Sequence, residues 1–280
     1  MILEYKIFEN RVEVSPLKDF ELADTLMCGQ CFRFKEREDG SFFGVAMGKE
    51  ITLRKDGDTL TLFCSGEDFK LWRTYFDLDT DYGKIKESLS KIHPTLAEAS
   101  KFAPGIRILR QEPFEALISF IISQNNNIKR ISGIVEKLCS LCGEEIGDGV
   151  YAFPTLEAMA KLSVEDLAPI KAGFRAKYIV DAVAKVRSGE VCLEAIPEMS
   201  FDSAKAELMK IKGVGEKVAH CVLLYGFHRL EGFPMDVWMK RAMAVLFPEN
   251  KGEDFGEFAG IAQQYIFHYA RLHPELFENS

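Results

Sequence analysis

The stretch from Leu208 to Lys240, LMKIKGVGEKVAHCVLLYGFHRLEGFPMDVWMK, constrains this chain more than any other. An apolar helix end runs into Gly213-Val214-Gly215. Two glycines one residue apart permit a tight turn and a close approach of the backbone to another molecule. A new helical pattern follows at once, with Val218, Cys221, Val222 and Tyr225 along it. Its first turn offers unpaired N–H groups and the positive end of a helix dipole, which suit a phosphate. Helix, Gly-Val-Gly, helix therefore reads as a clamp on a nucleic-acid backbone, indifferent to base sequence. The turn alone reads equally well as a plain helical corner with a glycine cap.

Lys217 adds chemistry to that turn. An amine attacks carbon only when uncharged, and burial or neighbouring positive charge favours the uncharged form. Lys212 is near in sequence, and Cys221 lies one turn beyond Lys217 on the same helical face. Gly232-Phe233-Pro234-Met235-Asp236 then leads into a second amphipathic run through Val237, Met239, Met243, Val245 and Leu246. Taken alone, Asp236 is an N-cap. Set against a lysine across a hairpin, it is a carboxylate placed to assist an amine nucleophile.

The form GVGEKVAHC followed by FPMDVWM resembles the helix-hairpin-helix motif, with its Gly/Pro-rich loop and aspartate, of base-excision DNA glycosylases. It is most similar to the 8-oxoguanine DNA glycosylase family. The resemblance covers nearly the whole chain through separated motifs. It implies an α+β fold: an N-terminal antiparallel β domain with flanking helices over 1–100, and a larger helical domain with the hairpin over 101–280. The last helix, 255–272, is expected to return to the base pocket, in a cleft between the helical parts with Gly29 reaching in.

The residues themselves support that order. Strand formers and the turns Asp39-Gly40 and Asp56-Gly57 give an antiparallel meander through about residue 65. Strands are expected over 30–37, 41–47, 51–54 and 59–63. Helices are expected over 67–76 and 81–92, the latter closed by His93-Pro94. Phe114 to Ser123 is almost wholly apolar and predicts a central buried helix.

The resemblance assigns roles to particular residues. Gly29, in the G-Q-x-F-R element, offers its carbonyl to N7–H of 8-oxoguanine, whereas guanine has only an acceptor there. Asn125 and Arg130, in QNNNIKR, read the base left opposite the flipped lesion, and a preference for cytosine follows. In GFRAKY, Phe174 wedges into the duplex and Arg175 is a second reader. Gln263 meets the Watson–Crick edge of the flipped base, Phe267 and Cys221 sandwich it, and Pro234 lines the pocket. Gly213, Gly215, Val218 and Trp238 face the DNA backbone, although Trp238 departs from the family's usual His. Lys217 and Asp236 are catalytic. The carbonyls of Met209, Ile211 and Val214 are where a structural monovalent or calcium ion would sit, and no other cofactor is required. Without the family, Phe174 and Phe267 read as core aromatics, Gly29 as a turn and the three asparagines as caps.

Composition limits these readings. Net charge is −8, from 35 basic and 43 acidic residues, which excludes a general polyanion binder. DNA binding must rest on a local basic face, with Lys129-Arg130, Lys171-Arg175-Lys177, Lys210-Lys212-Lys217 and Lys240-Arg241 as candidates. Cys28-x-x-Cys31 and Cys139-x-x-Cys142 suggest zinc, but they lie far apart and the second pair falls in an amphipathic helix. Reduced thiols are the expectation. MILEYKIFEN carries no secretory pattern, and no apolar run is long enough to span a membrane. A cytoplasmic monomer is expected, nucleoid-associated in a prokaryote and with a nuclear location open, acting on double-stranded DNA that contains 8-oxoguanine. Two rivals stand: an alkylated-purine glycosylase of the same superfamily, and a non-catalytic hairpin protein that binds DNA.

Overall fold

The computed structural model describes residues 3–277. β1 (Tyr5–Ile7), β2 (Val12–Val14), β3 (Phe34–Glu36), β4 (Phe42–Ala46), β5 (Lys49–Asp56) and β6 (Thr59–Phe63) form an antiparallel sheet in the order β1-β2-β6-β5-β4-β3. Side chains alternate across it. Val12 pairs with Leu62 and Val14 with Leu60, and all four are fully buried. The expected strand over 30–37 shortens to β3. Gly29 is left-handed at φ 97, and the segment after it stays outside the ladder until Phe34.

α1 (Leu22–Leu26) lies between β2 and β3. After the sheet come α2 (Phe69–Tyr75), α3 (Tyr82–Ser90) and α4 (Pro94–Phe102). His93-Pro94 closes one helix as expected, and it also opens the next. Pro94 takes the first turn of α4, where its missing N–H costs nothing, and His93 caps it by accepting from Thr95 N at 3.2 Å.

The helical part follows. It comprises α5 (Pro113–Ser123), α6 (Ile128–Cys142), a short hairpin of β7 (Glu145–Gly147) and β8 (Val150–Tyr151), α7 (Leu156–Met159), α8 (Ala176–Ser188), α9 (Phe201–Met209), α10 (Glu216–Gly226), α11 (Val237–Leu246) and α12 (Ala259–Leu272). The last helix begins at Ala259 rather than 255. Gly256, at φ 68 and ψ −147, breaks the preceding 3-10 turn.

The chain contacts cluster into two compact units. One holds the described residues up to Gln30, Leu53–Arg110 and those from His228 onward; the other holds Cys31–Thr52 and Gln111–Phe227. In the first, α12 packs against α4 and α11. Arg107, 1% exposed, binds that interior by donating to the carbonyls of Asp19, Asp77 and Thr80 at 2.9, 2.7 and 3.0 Å. Asp77 in turn accepts from Tyr82 at 3.1 Å and Arg110 at 3.0 Å, with His228 Nε2 at 3.5 Å. In the second, the apolar α5 is the hub, packed on α6, α8 and α10. Full burial on every side is why its sequence lacks a polar face.

Candidate catalytic and nucleic-acid site

The hairpin lies in the second unit. Gly213 is left-handed at φ 79, and a methyl there would stand 2.3 Å from Tyr178 Cδ2. Gly215, the residue before α10, is extended at φ −98 and ψ −177, and its missing side chain faces open space. The two glycines therefore differ: one is demanded by the fold, the other keeps a surface bare. The Val218 side chain is buried, so only its backbone belongs to the helix N-terminus. The Lys217 amine lies 5.5 Å from the ring centre of Phe120, which stacks on Tyr225 at 5.2 Å and meets Phe32 edge-on at 5.7 Å. The nucleophile candidate thus stands half-buried beside an aromatic wall, with Cys221 buried on the same helix.

The three asparagines behave differently from one another. Asn127 caps α6 by accepting from Arg130 N at 3.0 Å, and Asn126 bonds back to Ile122 O at 3.1 Å. Asn125 does neither; it is exposed and left-handed at φ 47. Arg175 is buried and holds this turn, donating to Gln124 O at 2.8 Å, Asn125 O at 2.9 Å and Ala172 O at 3.1 Å. To reach a base it would have to exchange these carbonyls. Arg130 is exposed. Phe174 is 47% exposed, its ring 4.5 Å from the Arg175 guanidinium. An aromatic on the surface, backed by a planar cation, is not the core residue that its type alone suggests.

Below the hairpin, Lys185 Nζ donates to Lys210 O, with Glu190 3.2 Å away, and Lys212 N donates to Asp181 at 2.7 Å. The Ile211 carbonyl accepts from Val214 N at 3.1 Å. An ammonium thus already occupies part of the carbonyl-rich end of α9.

The first unit carries the other residues. Asp236 is half-buried and caps α11, its Oδ1 accepting from Met239 N at 2.7 Å, which leaves Oδ2 for another partner. Pro234 is buried beside Phe233, whose ring stacks on Phe255 at 5.5 Å. Trp238 is 45% exposed. On α12, Gln263 is 4% exposed and its Oε1 has no hydrogen-bond partner among the described residues. Phe267, one turn on, is half-buried, with the Arg271 guanidinium 5.8 Å from its ring centre. Three side chains around Gly29 escape a reading of the sequence: Gln30, Gln264 and Arg271 all bond to backbone here. Gln264 is adjacent to Gln263, and nothing in AQQYIF tells which amide is spent and which is open.

All seven cysteines are reduced thiols. Burial pushes Cys28 up to about 11 and Cys139 to about 12, so both are neutral packing groups.

Two family models together match this architecture. Residues 13–117 match the 8-oxoguanine DNA glycosylase N-terminal domain, and residues 118–259 match the HhH-GPD superfamily of base excision DNA repair proteins. This chain belongs to the HhH-GPD superfamily. The N-glycosylase/DNA lyase OGG1 of Arabidopsis thaliana is 31% identical to this glycosylase, over 90% of its chain and 79% of the relative's. The structure of MBOgg1 in complex with a low affinity DNA ligand superposes with a TM-score of 0.92 at 44% identity, covering 98% of this chain and 100% of that one. The Clostridium acetobutylicum 8-oxoguanine glycosylase/lyase, in complex with duplex DNA containing cytosine opposite 8-oxoguanine, gives 0.90 at 38% identity, covering 98% and 99%. Within the superfamily, the chain is thus an 8-oxoguanine DNA glycosylase by both its domains and its relatives.

Proposed function

We infer that this glycosylase excises 8-oxoguanine from double-stranded DNA and cleaves the abasic strand that results. The observation that carries the base assignment is Gln263. A buried amide whose oxygen lacks a donor is costly, by about 1–3 kcal/mol, unless something fills the role. The Watson–Crick edge of a guanine supplies N1–H and N2–H donors, and a flipped purine stacked on Phe267 would bring them there. The Gly29 carbonyl would accept N7–H of the oxidised base. Against guanine, the same carbonyl would face a lone pair.

In the mechanism we propose, Lys217 Nζ attacks C1′ of the deoxyribose. The C1′–N9 bond breaks, and its electron pair leaves with the base, which is protonated. The Oδ2 of Asp236 lies opposite the positive charge that develops on the sugar. Ring opening gives an imine to Lys217. Loss of a C2′ proton then expels the 3′ phosphate, which nicks the strand. The N–H groups at Gly215 to Val218, with Trp238, grip the backbone, and Phe174 fills the gap left in the stack. Asn125 and Arg130 would read cytosine, Arg130 through its fork of donors. The chemistry asks for no cofactor. An ion on the carbonyls of Met209, Ile211 and Val214 would only brace the hairpin, where Lys185 already places one positive charge. Such an enzyme works where chromosomal DNA is held.

Borohydride reduction of the enzyme on an 8-oxoguanine·cytosine duplex tests the reading. Covalent capture is expected, and Lys217→Gln should abolish it while lesion binding stays. Excision that persists in Lys217→Gln would remove the nucleophile. Capture only on an alkylated-purine duplex would favour the sister activity.

A further inference from the structure

Two glutamines stand side by side on α12, both buried, and their amides end differently. Gln263 keeps an oxygen without a partner among the described residues. Gln264, 1% exposed, donates from Nε2 to Cys28 O at 3.3 Å. Two turns on, Arg271 donates to Met27 O at 3.3 Å. The helix thus holds two successive carbonyls of the segment that enters Gly29. Beyond Gly29, Gln30 is fully buried. Its Nε2 donates to Thr25 O at 2.8 Å and Arg107 O at 2.7 Å, and its Oε1 accepts from Leu109 N at 2.9 Å. Gly29 sits between these anchors at φ 97, a conformation that L side chains rarely adopt.

We propose that Gln264 and Gln30 are positioning residues that fix the Gly29 peptide, so that its carbonyl keeps one direction whichever base arrives. This rests on the reading of Gly29 as the acceptor for N7–H. A carbonyl discriminates 8-oxoguanine from guanine only if it cannot turn aside. On a loose loop it would rotate away from guanine N7, and the repulsion that rejects the normal base would vanish. Held from both sides, it meets N7–H at no reorganisation cost and meets the lone pair of N7 head-on. The sequence neighbours thus have separate roles. Gln263 faces the base, and Gln264 holds the residue that tests it.

The test uses binding in a Lys217→Gln parent, which does not turn over. Dissociation constants are measured for three duplexes: 8-oxoguanine·cytosine, guanine·cytosine, and one with a tetrahydrofuran abasic analogue. Gln264→Met keeps the volume and removes the donor. The expected result is a fall of about tenfold in the preference for 8-oxoguanine over guanine. Affinity for the tetrahydrofuran duplex, which has no N7, should not change. Arg271→Met, at a more exposed position, should lower the same ratio about threefold and serves if Gln264→Met does not fold. A preference that survives both substitutions overturns the positioning role alone. Equal losses on all three duplexes would show a merely structural role and also overturn it. A parent with no preference for 8-oxoguanine would instead sink the reading of Gly29, and this role with it.

Discussion

The hairpin residues and the residues around Gly29 are built on opposite principles. In the hairpin unit, Gly215, Asn125, Arg130 and Phe174 are exposed, and what they offer is backbone N–H, a charge or a ring edge. In the other unit, Cys28, Gln30, Gln263 and Gln264 are buried; the amides of Gln30 and Gln264 are bonded to backbone, while Gln263 keeps an oxygen without a partner among the described residues. On the function proposed above, the difference follows from what each group would have to recognise. Gly215 would face a phosphate, which is the same at every step, and Asn125, Arg130 and Phe174 would meet the duplex left behind, so exposed groups suffice. One oxygen and one proton distinguish the damaged base from a vast excess of guanine. That needs groups fixed in place and shielded from water.

Gln263→Met probes the contrast most sharply. Removing a buried orphan oxygen should leave Tm unchanged or raise it, while kcat/KM on 8-oxoguanine falls about 100-fold. A parallel loss of Tm and activity would mean that the amide is structural. Next, the two hairpin glycines should separate. Gly213→Ala should cost about 2–3 kcal/mol in denaturant unfolding, because the methyl meets Tyr178 and the backbone is left-handed. Gly215→Ala should leave stability alone and weaken binding to any duplex several-fold, lesion or not. If both behave alike, the open face at Gly215 is not the phosphate contact.

The two units should also respond to pH in opposite directions. Burial holds His228 down to about 4 from an ordinary 6.5, against the pull of Asp77 and with Arg110 nearby. The unfolded chain takes up that proton first, so this stability is whole above pH 6.5 and is lost as pH falls toward 4. Burial pushes Glu115 up to about 7, with Arg33 pulling it down and Glu112 and Glu136 adding to the rise. The native state binds that proton more tightly, so stability present below pH 4.5 is lost as pH rises through about 7. Glu115→Gln should therefore stabilise at pH 8 by about 1–2 kcal/mol and do little at pH 5. His228→Asn, which tolerates the left-handed backbone, should flatten the acid limb. Thermal melts across pH decide both. The smallest effect is expected at Phe174. Phe174→Ala should cost about tenfold in excision with stability within about 0.5 kcal/mol, since the ring is on the surface.

Much of this was legible in the chain. The glycine turn between two helices, the buried α5 and the meander turns follow from local chemistry: glycine spacing, periodicity and turn residues. The residues around Gly29 were legible only in part. Gly29, Gln263 and Phe267 come from motif matching, but the anchors at Gln30, Gln264 and Arg271 do not, because each bonds to backbone many positions away. Local reading also misplaced the start of α12, where one left-handed glycine outweighs the run of helix formers beyond it.

The sequence by itself determined the elements and the chemistry on them: a lysine at a helix start, a carboxylate at another, glycines where backbone must come close. Only the tertiary structure decided which of two adjacent glutamines keeps an oxygen without a partner among the described residues, which of two hairpin glycines the fold requires, and which of three asparagines caps neither helix. Those outcomes depend on long-range hydrogen bonds and on what packs against each Cβ. No local pattern encodes them, because the partner atoms belong to segments brought together only by folding.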